Sequence, residues 1–436
     1  MPQPRNRPIR TMMPSRKSRV FYGYWLVAAT FVFMLLSYGC GSFVFSLFVK
    51  PLEGALGWGR GQVMVGFTIF FILQGLASPL VGRIVDRHGP RRVIPLGALM
   101  MGLGFLLAST TADLPVFYVS YVVIGAGSAG MGIVPCSAVV SNWFRRKRGA
   151  AVGLMAAGMG AGGLVMAPLV AHLLDTFDWR ATYLAMAIVI WAVAIPLSLA
   201  LVRTRPADMG LYPDGDADDT EWLRASAAKP VEGQSLSLRQ AAKYSAIWLI
   251  GVSFFVSGFS NTGALHAPVP FLEDIGFPTA TAAAALGTLG LGSALGKVFF
   301  GWLCDRIPPK RASAIGLALQ FGGVLVLLSI RSDSPQILIW AYALLLGFGV
   351  GSWLPTMSML VSTTFGLAYY GSVFGVISFL ESAGTSIGPL FAGLMFDASG
   401  TYYCAFVTFA ALYVIAIPAI LLVRRPPRPA PEVGPT

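Results

Sequence analysis

Charge is what this sequence most lacks. Of its 436 residues only 11% are Asp, Glu, Lys or Arg, where a soluble domain carries about 25%. Apolar residues make up 56%, and mean hydropathy is +0.71. So few charges cannot cover the surface of a soluble protein of this size, which leaves lipid as the solvent. Histidine and cysteine are sparse too, at three and four residues. Cys40, Cys136, Cys304 and Cys404 lie far apart, inside or at the edge of apolar runs. That spacing offers neither a disulfide framework nor a metal site, and they read as small packing residues. No Gly-x-x-x-x-Gly-Lys-Ser/Thr nucleotide loop and no catalytic constellation is present. The expectation is no enzyme, no cofactor and no metal.

What is there is a series of long apolar runs. A spanning helix needs roughly 20 mostly apolar residues. Twelve segments qualify: 21–49, 62–82, 93–110, 115–141, 149–172, 181–202, 244–270, 279–303, 312–330, 336–361, 371–395 and 402–423. The first follows a basic start, residues 1–20, as a signal peptide's core would, but it is too long for one and reads as a membrane helix. The expected fold class is an all-α membrane protein of twelve transmembrane helices in two pseudo-symmetric six-helix halves.

Net charge is +12. The bases cluster between apolar runs instead of forming a face with interleaved aromatics, so nucleic acid is not an expected partner. With the N-terminus placed in the cytoplasm, the inside segments collect Arg87, Arg91 and Arg92, the run Arg145–Arg148, Lys310 and Arg311, and Arg424, Arg425 and Arg428. The outside loops hold only Lys50, Arg60, Arg180 and Arg331 among bases. This positive-inside pattern predicts both termini in the cytoplasm of a cell whose plasma (inner) membrane the chain crosses. The polar stretch 203–243, with Asp214, Asp216, Asp218 and Asp219, reads as a cytoplasmic linker. It divides a bundle at 21–202 from a second at 244–423, with a tail at 424–436.

One motif occurs twice. Gly82, Asp86, Arg87, Gly89, Arg91 and Arg92 punctuate one charged hairpin. Gly301, Asp305, Arg306, Lys310 and Arg311 punctuate another, with matching positions 219 apart, or half the chain. Further echoes are Gly125 and Gly127 with Gly347 and Gly349, Gly149 and Gly153 with Gly371 and Gly375, and Pro168 with Pro389. Duplicated apolar bundles of this kind are an architecture of secondary transporters.

The Gly-x-x-x-Asp-Arg-x-Gly-x-Arg-Arg hairpin resembles the signature of the major facilitator superfamily; Pro308 replaces its glycine in the second copy. The resemblance implies that the hairpin charges gate the inner side, joining the halves in one state and releasing them in another. Fixing topology is the plainer role, and the two are compatible. Phe21–Trp25, Asn142–Gly153, Trp179-Arg180 and Arg205–Gly215 look like the bacterial monocarboxylate-transporter and oxalate/formate-antiporter branch, which moves small organic anions. Tyr121 stands where many sugar and drug carriers have an arginine, as is usual in that branch.

Two ionisable residues fall well inside apolar runs: Lys297 and Glu381. Burying a charge there costs roughly 2.5–3.5 kcal/mol on insertion scales, so it marks a cavity or a partner. By resemblance, Lys297 takes the place of a helix-eight arginine and would hold a substrate carboxylate. Ser293 stands where monocarboxylate members often have an aspartate. Glu381 stands where oxalate-type members have a lysine, which disfavours a dicarboxylate. The working expectation is that Lys297 and Glu381 pair in the empty cavity, that substrate takes Lys297, and that Glu381 takes up a proton. A permanent structural pair, or a Lys297 that reaches for the headgroups, is the alternative.

The same resemblance places helices one, four, seven and ten around the cavity. Candidate substrate contacts are therefore Tyr38, Tyr121, Asn261, His266 and Trp353, with Phe45 and Phe259 shaping the walls. His266 also suits a proton relay, or a structural role; His88 and His172 rank below it. The sequence thus points to a monomeric carrier of a small organic anion, a monocarboxylate, coupled to a proton. The alternatives are proton-driven efflux of a cationic or zwitterionic substrate, and a membrane sensor with the same fold.

Overall fold

The computed structural model of the chain describes residues 21–215, 235–266 and 268–426; the basic segment 1–20, the middle of the linker and residues 427–436 lie outside the described residues. Every regular element among them is helical, the way an open-ended chain satisfies its backbone in lipid. Twelve helices are long and apolar enough to cross a membrane: α1 Tyr22–Leu56, α2 Gly61–His88, α3 Pro90–Ser109, α4 Leu114–Trp143, α5 Arg148–Thr176, α6 Trp179–Leu201, α7 Ser245–Leu265, α8 Ala284–Cys304, α9 Pro309–Ser329, α10 Ile337–Phe365, α11 Tyr370–Ser399 and α12 Tyr403–Leu421.

Local chemistry sets several boundaries. Asp113 and Asp178 cap α4 and α6, accepting the N–H groups of Val116 at 3.0 Å and Ala181 at 2.7 Å. A single residue, Gly89 at φ 79, separates α2 from α3, and Pro90 then opens α3 with its φ already set. The motif hairpin is therefore not a loop. Asp86 and Arg87 ride on the last turn of α2, which runs six residues beyond its expected end at 82. In the seventh span helix is described over Ser245–His266 and again over Pro268–Asp274.

The repeat extends to the defects. Glycine interrupts α4 at Gly132 and α10 at Gly351, 219 positions later. Helix α1 passes through a π-helical turn at Gly39–Phe43, just after Tyr38. Within the first half α3 packs on α4 and α6; within the second, α9 packs on α10 and α12. Leu76, Leu80, Leu164 and Leu295 stand exposed.

The two halves meet along α2 with α11 and along α5 with α8. At the end carrying the motif hairpins, backbone lies on backbone. A methyl group at Gly82 would strike the Gly371 carbonyl, and one at Gly371 the Gly82 carbonyl. Gly149 and Gly301 block each other in the same way, and Gly153 lies on the Lys297 carbonyl. Each glycine costs its helix about 1 kcal/mol against alanine, and close approach offsets this. The seam loosens along the stripe 301, 297, 294, 290, 287 of α8. A Cβ at Gly160 would only touch Ala294, at 3.9 Å, and Gly290 and Gly287 face open space. The molecule is closed at the motif end and parts toward the other.

Candidate functional site

The closed end is built by two carboxylates. Asp86, on α2, accepts the N–H groups of Gly371 and Ser372, both at 2.7 Å, at the start of α11. Asp305, just past α8, accepts those of Gly149 at 2.6 Å and Ala150 at 2.9 Å, at the start of α5. Each aspartate reaches from one half to a helix N-terminus of the other, where unpaired N–H groups and the helix dipole favour an anion. Burial raises the Asp305 carboxyl above the ordinary aspartate range, while its two amide bonds and Arg148 pull it down and Asp214 pushes it up. A hydroxyl chain crosses the same seam: Ser141 of α4 lies 3.4 Å from Ser358 of α10, which lies 2.8 Å from the Tyr370 hydroxyl of α11.

The motif bases divide by role. Lys310 donates to the Leu421 and Val423 carbonyls at 3.3 Å and so closes the end of α12. Arg306 lies over the Trp302 ring, 4.9 Å from its centre. Arg87, Arg91, Arg92 and Arg311 are exposed. A recess of about 340 Å³ opens at this end, lined by His88, Asn142, Arg205, Asp208 and Tyr370 among others; it touches neither Lys297 nor Glu381.

Lys297 is buried, at 6% exposure, in the middle of α8. Its Nζ donates to Ser293 Oγ at 2.7 Å, one turn away on the same helix. A methyl group at Gly351 of α10 would press on the Ser293 carbonyl, which places α10 directly behind this pair. Glu381, half-buried on α11, accepts from Thr385 Oγ1 at 3.0 Å, again one turn away. The expected Lys297–Glu381 pair does not form: each charge meets a neutral hydroxyl of its own helix, and no ion pair joins them within 4.0 Å among the described residues. Tyr38 lies on α1, in the other half, where the π-helical turn begins.

Behind Tyr38 stands a polar cluster that sequence reasoning missed. Gln74 Nε2 donates to Ser128 Oγ at 2.8 Å, and Ser128 Oγ lies 2.7 Å from Ser37 Oγ. Gln74 and Ser37 fix the edge of α2 and α1 on which Tyr38 sits. A lone amide inside an apolar run was the available signal. Asn261 of α7 keeps its place as a candidate, because its buried Oδ1 has no hydrogen-bond partner among the described residues. Trp353 is half-buried two residues past Gly351. The His266 side chain lies outside the described residues.

Tyr121 sits elsewhere. It is 2% exposed inside the first half, with its hydroxyl 3.1 Å from that of Tyr183 and its ring against Phe45 and Phe117. Phe259 is likewise packed within the second half, against Phe391 and Phe409. Both serve as core.

Two repeated six-helix halves, joined at one end and parted at the other, with lone ionisable groups buried between, define the architecture of a secondary transporter. The chain belongs to the Major Facilitator Superfamily, whose family model matches residues 29–389 and 250–436. It is 25% identical over 403 residues to monocarboxylate transporter 13 of Rattus norvegicus, covering 92% of this chain and 88% of that one. It is 26% identical to monocarboxylate transporter 11 of Homo sapiens, covering 90% and 80%. The human organic anion transporter MFSD10 (TETRAN) superposes with a TM-score of 0.69 at 16% identity, covering 91% of this chain and 99% of that one. That likeness concerns the fold.

Proposed function

We propose that the chain carries a small organic anion, a monocarboxylate, together with a proton, by alternating access between its halves. The observation that carries this reading is Lys297: a buried cation held by a neutral hydroxyl, with no carboxylate within ion-pair distance among the described residues. A buried ammonium without a counter-charge is costly. A substrate carboxylate is the anion that would relieve it, and the monocarboxylate-transporter relatives favour one carboxylate over two. Glu381, held by the Thr385 hydroxyl, is the residue that takes up the coupled proton. Asp86 and Asp305 are the gate of a monomer in the plasma membrane; the clustering of bases on alternate sides supports a cytoplasmic side for that gate and both termini.

A second reading rests on Glu381 and Asn261. A carboxylate with no cation within ion-pair distance, and a buried amide oxygen without a hydrogen-bond partner, both among the described residues, suit a cationic or zwitterionic substrate driven out by protons. Uptake of labelled lactate, pyruvate, acetate and oxalate into proteoliposomes, with and without an inward proton gradient, separates the two. Monocarboxylate uptake that rises with the gradient supports the first. No uptake of any of the four by folded protein overturns it in favour of the second.

A further inference from the structure

We propose that Asp214, in the linker between the halves, is a positioning residue of the motif-end gate, and that the linker braces both gate turns through its two ends. The proposal rests on the reading that this end opens and closes. The turn before α5 has two anionic partners from two different parts of the chain. Asp214 accepts the N–H groups of Arg145 at 2.9 Å and Arg146 at 2.7 Å, with Lys147 at 3.5 Å. Asp305 takes the next amides, those of Gly149 and Ala150. Between them Arg148 Nε donates to the Ser141 and Phe144 carbonyls, at 3.1 and 2.9 Å, and so ties the turn back to α4. The linker thus orders the residues directly before the two amides that the other half captures.

The backbone at Asp214 supports a dedicated role. Its φ of 59 and ψ of 0 lie in the left-handed region, and it is the one non-glycine residue there among the described residues. Such a conformation persists only where the surroundings hold it. The next residue, Gly215 at φ 77, packs on the Phe21 ring beside Phe144. Linker, start of α1 and gate turn form one packed unit.

The other gate turn has the repeat-related arrangement. Asp86 captures Gly371 and Ser372 from across the seam. The far end of the linker takes the residues just before them. Ser235 Oγ accepts the Ala368 N–H at 3.3 Å, and the Leu236 N–H donates to the Phe365 carbonyl at 3.0 Å. Gly366, at φ 90, lies against the Ser235 side chain, and Leu236 is buried. Each gate turn is therefore held by one aspartate of the opposite half and by one end of the linker. A linker that only tethered the halves would need neither contact. Braced in this way, the turns present their amides to Asp305 and Asp86 only while the linker is docked.

The test is residue-resolved amide exchange on the full chain in proteoliposomes, which needs no substrate and so stands or falls apart from the carboxylate reading. Asp214→Gly keeps the left-handed backbone, which glycine adopts freely, and removes the carboxylate. Exchange should rise about tenfold at Gly149 and Ala150 as well as at Arg145 and Arg146, the loss of protection expected when a charge-assisted bond goes. Asp214→Asn, which retains an acceptor, should recover part of it. Asp214→Gly with Asp305→Asn should exchange at Gly149 no faster than Asp305→Asn alone. Faster exchange confined to 145–147, with Gly149 and Ala150 at their wild-type rates, would overturn the proposal. Should Asp214→Gly fail to fold, Ser235→Ala is read at Gly371 and Ser372: faster exchange there supports the brace, and no change overturns it.

Discussion

Asp86 and Asp305, 219 positions apart, make the same bond in opposite directions across one seam: each accepts two backbone N–H groups from the start of a helix in the other half. The pairing is two-fold symmetric although the side chains around it are not. Bonds to a charged acceptor are worth about 1.5–3 kcal/mol each, and these exist only while the motif end is closed.

Neutralising either aspartate therefore penalises one state of the cycle. Asp86→Asn and Asp305→Asn should each lower turnover about tenfold or more, by weakening the closed state by about 1.5 kcal/mol or more, while KM stays within about twofold. Uptake kinetics in proteoliposomes separate the two parameters. A raised KM with unchanged turnover would move these residues from the gate to the substrate.

Glycine at the seam leads to a sharper expectation. Gly149→Ala places a methyl against the Gly301 carbonyl, where the obstacle is backbone and cannot swing aside. Overpacking costs about 1–3 kcal/mol, and here it falls on the closed state alone, shifting the closed–open ratio by about one to two decades. Labelling of a reporter cysteine near Gly149 from the motif side should quicken accordingly. At Gly287, where a Cβ meets nothing within 4 Å, the same change should leave labelling at its wild-type rate.

Lys297→Gln keeps a polar hydrogen-bond donor on a side chain one atom shorter but removes the charge. If Lys297 receives the substrate carboxylate, uptake should fall at least about thirtyfold, the lower end of the cost of losing one partner of a buried charge pair. Folded yield should hold or rise, because an intramembrane charge has been removed. Near-normal uptake would take Lys297 out of the site.

The sequence announced the architecture through large signals: twelve apolar runs, bases on alternate sides and a motif repeated at 219. The site was legible only in part. Lys297 and Glu381 stood out as lone charges, and their hydroxyl partners lie four residues away on the same helices, within reach of a helical-spacing argument. The Gln74–Ser128–Ser37 cluster was not legible as a unit, because it joins the first, second and fourth helices and no local pattern encodes those distances. That Tyr121 packs inside the first half was not legible for a related reason. A membrane helix that is apolar on every side gives no periodicity from which to tell the cavity face from the core face. Asp214 lies in a readable turn, Pro213-Asp214-Gly215, but the amides it caps are nearly seventy residues upstream.

Tyr38 and Glu381 carry the last prediction. Tyr38 belongs to α1 of the first half and Glu381 to α11 of the second. If Glu381 takes up the coupled proton, Glu381→Gln, fixed in a neutral form, should give uptake that no longer rises as the outer pH falls. Tyr38→Phe removes the hydroxyl but leaves the carboxyl able to titrate, so its uptake should still rise on acidification, along a shifted profile. If Tyr38 acts through Glu381, the double variant should match Glu381→Gln alone. Measured uptake against outer pH for the wild type and the three variants decides the matter. A Glu381→Gln protein that keeps both its rate and its pH dependence would place the proton elsewhere and leave Glu381 as a structural partner of Thr385.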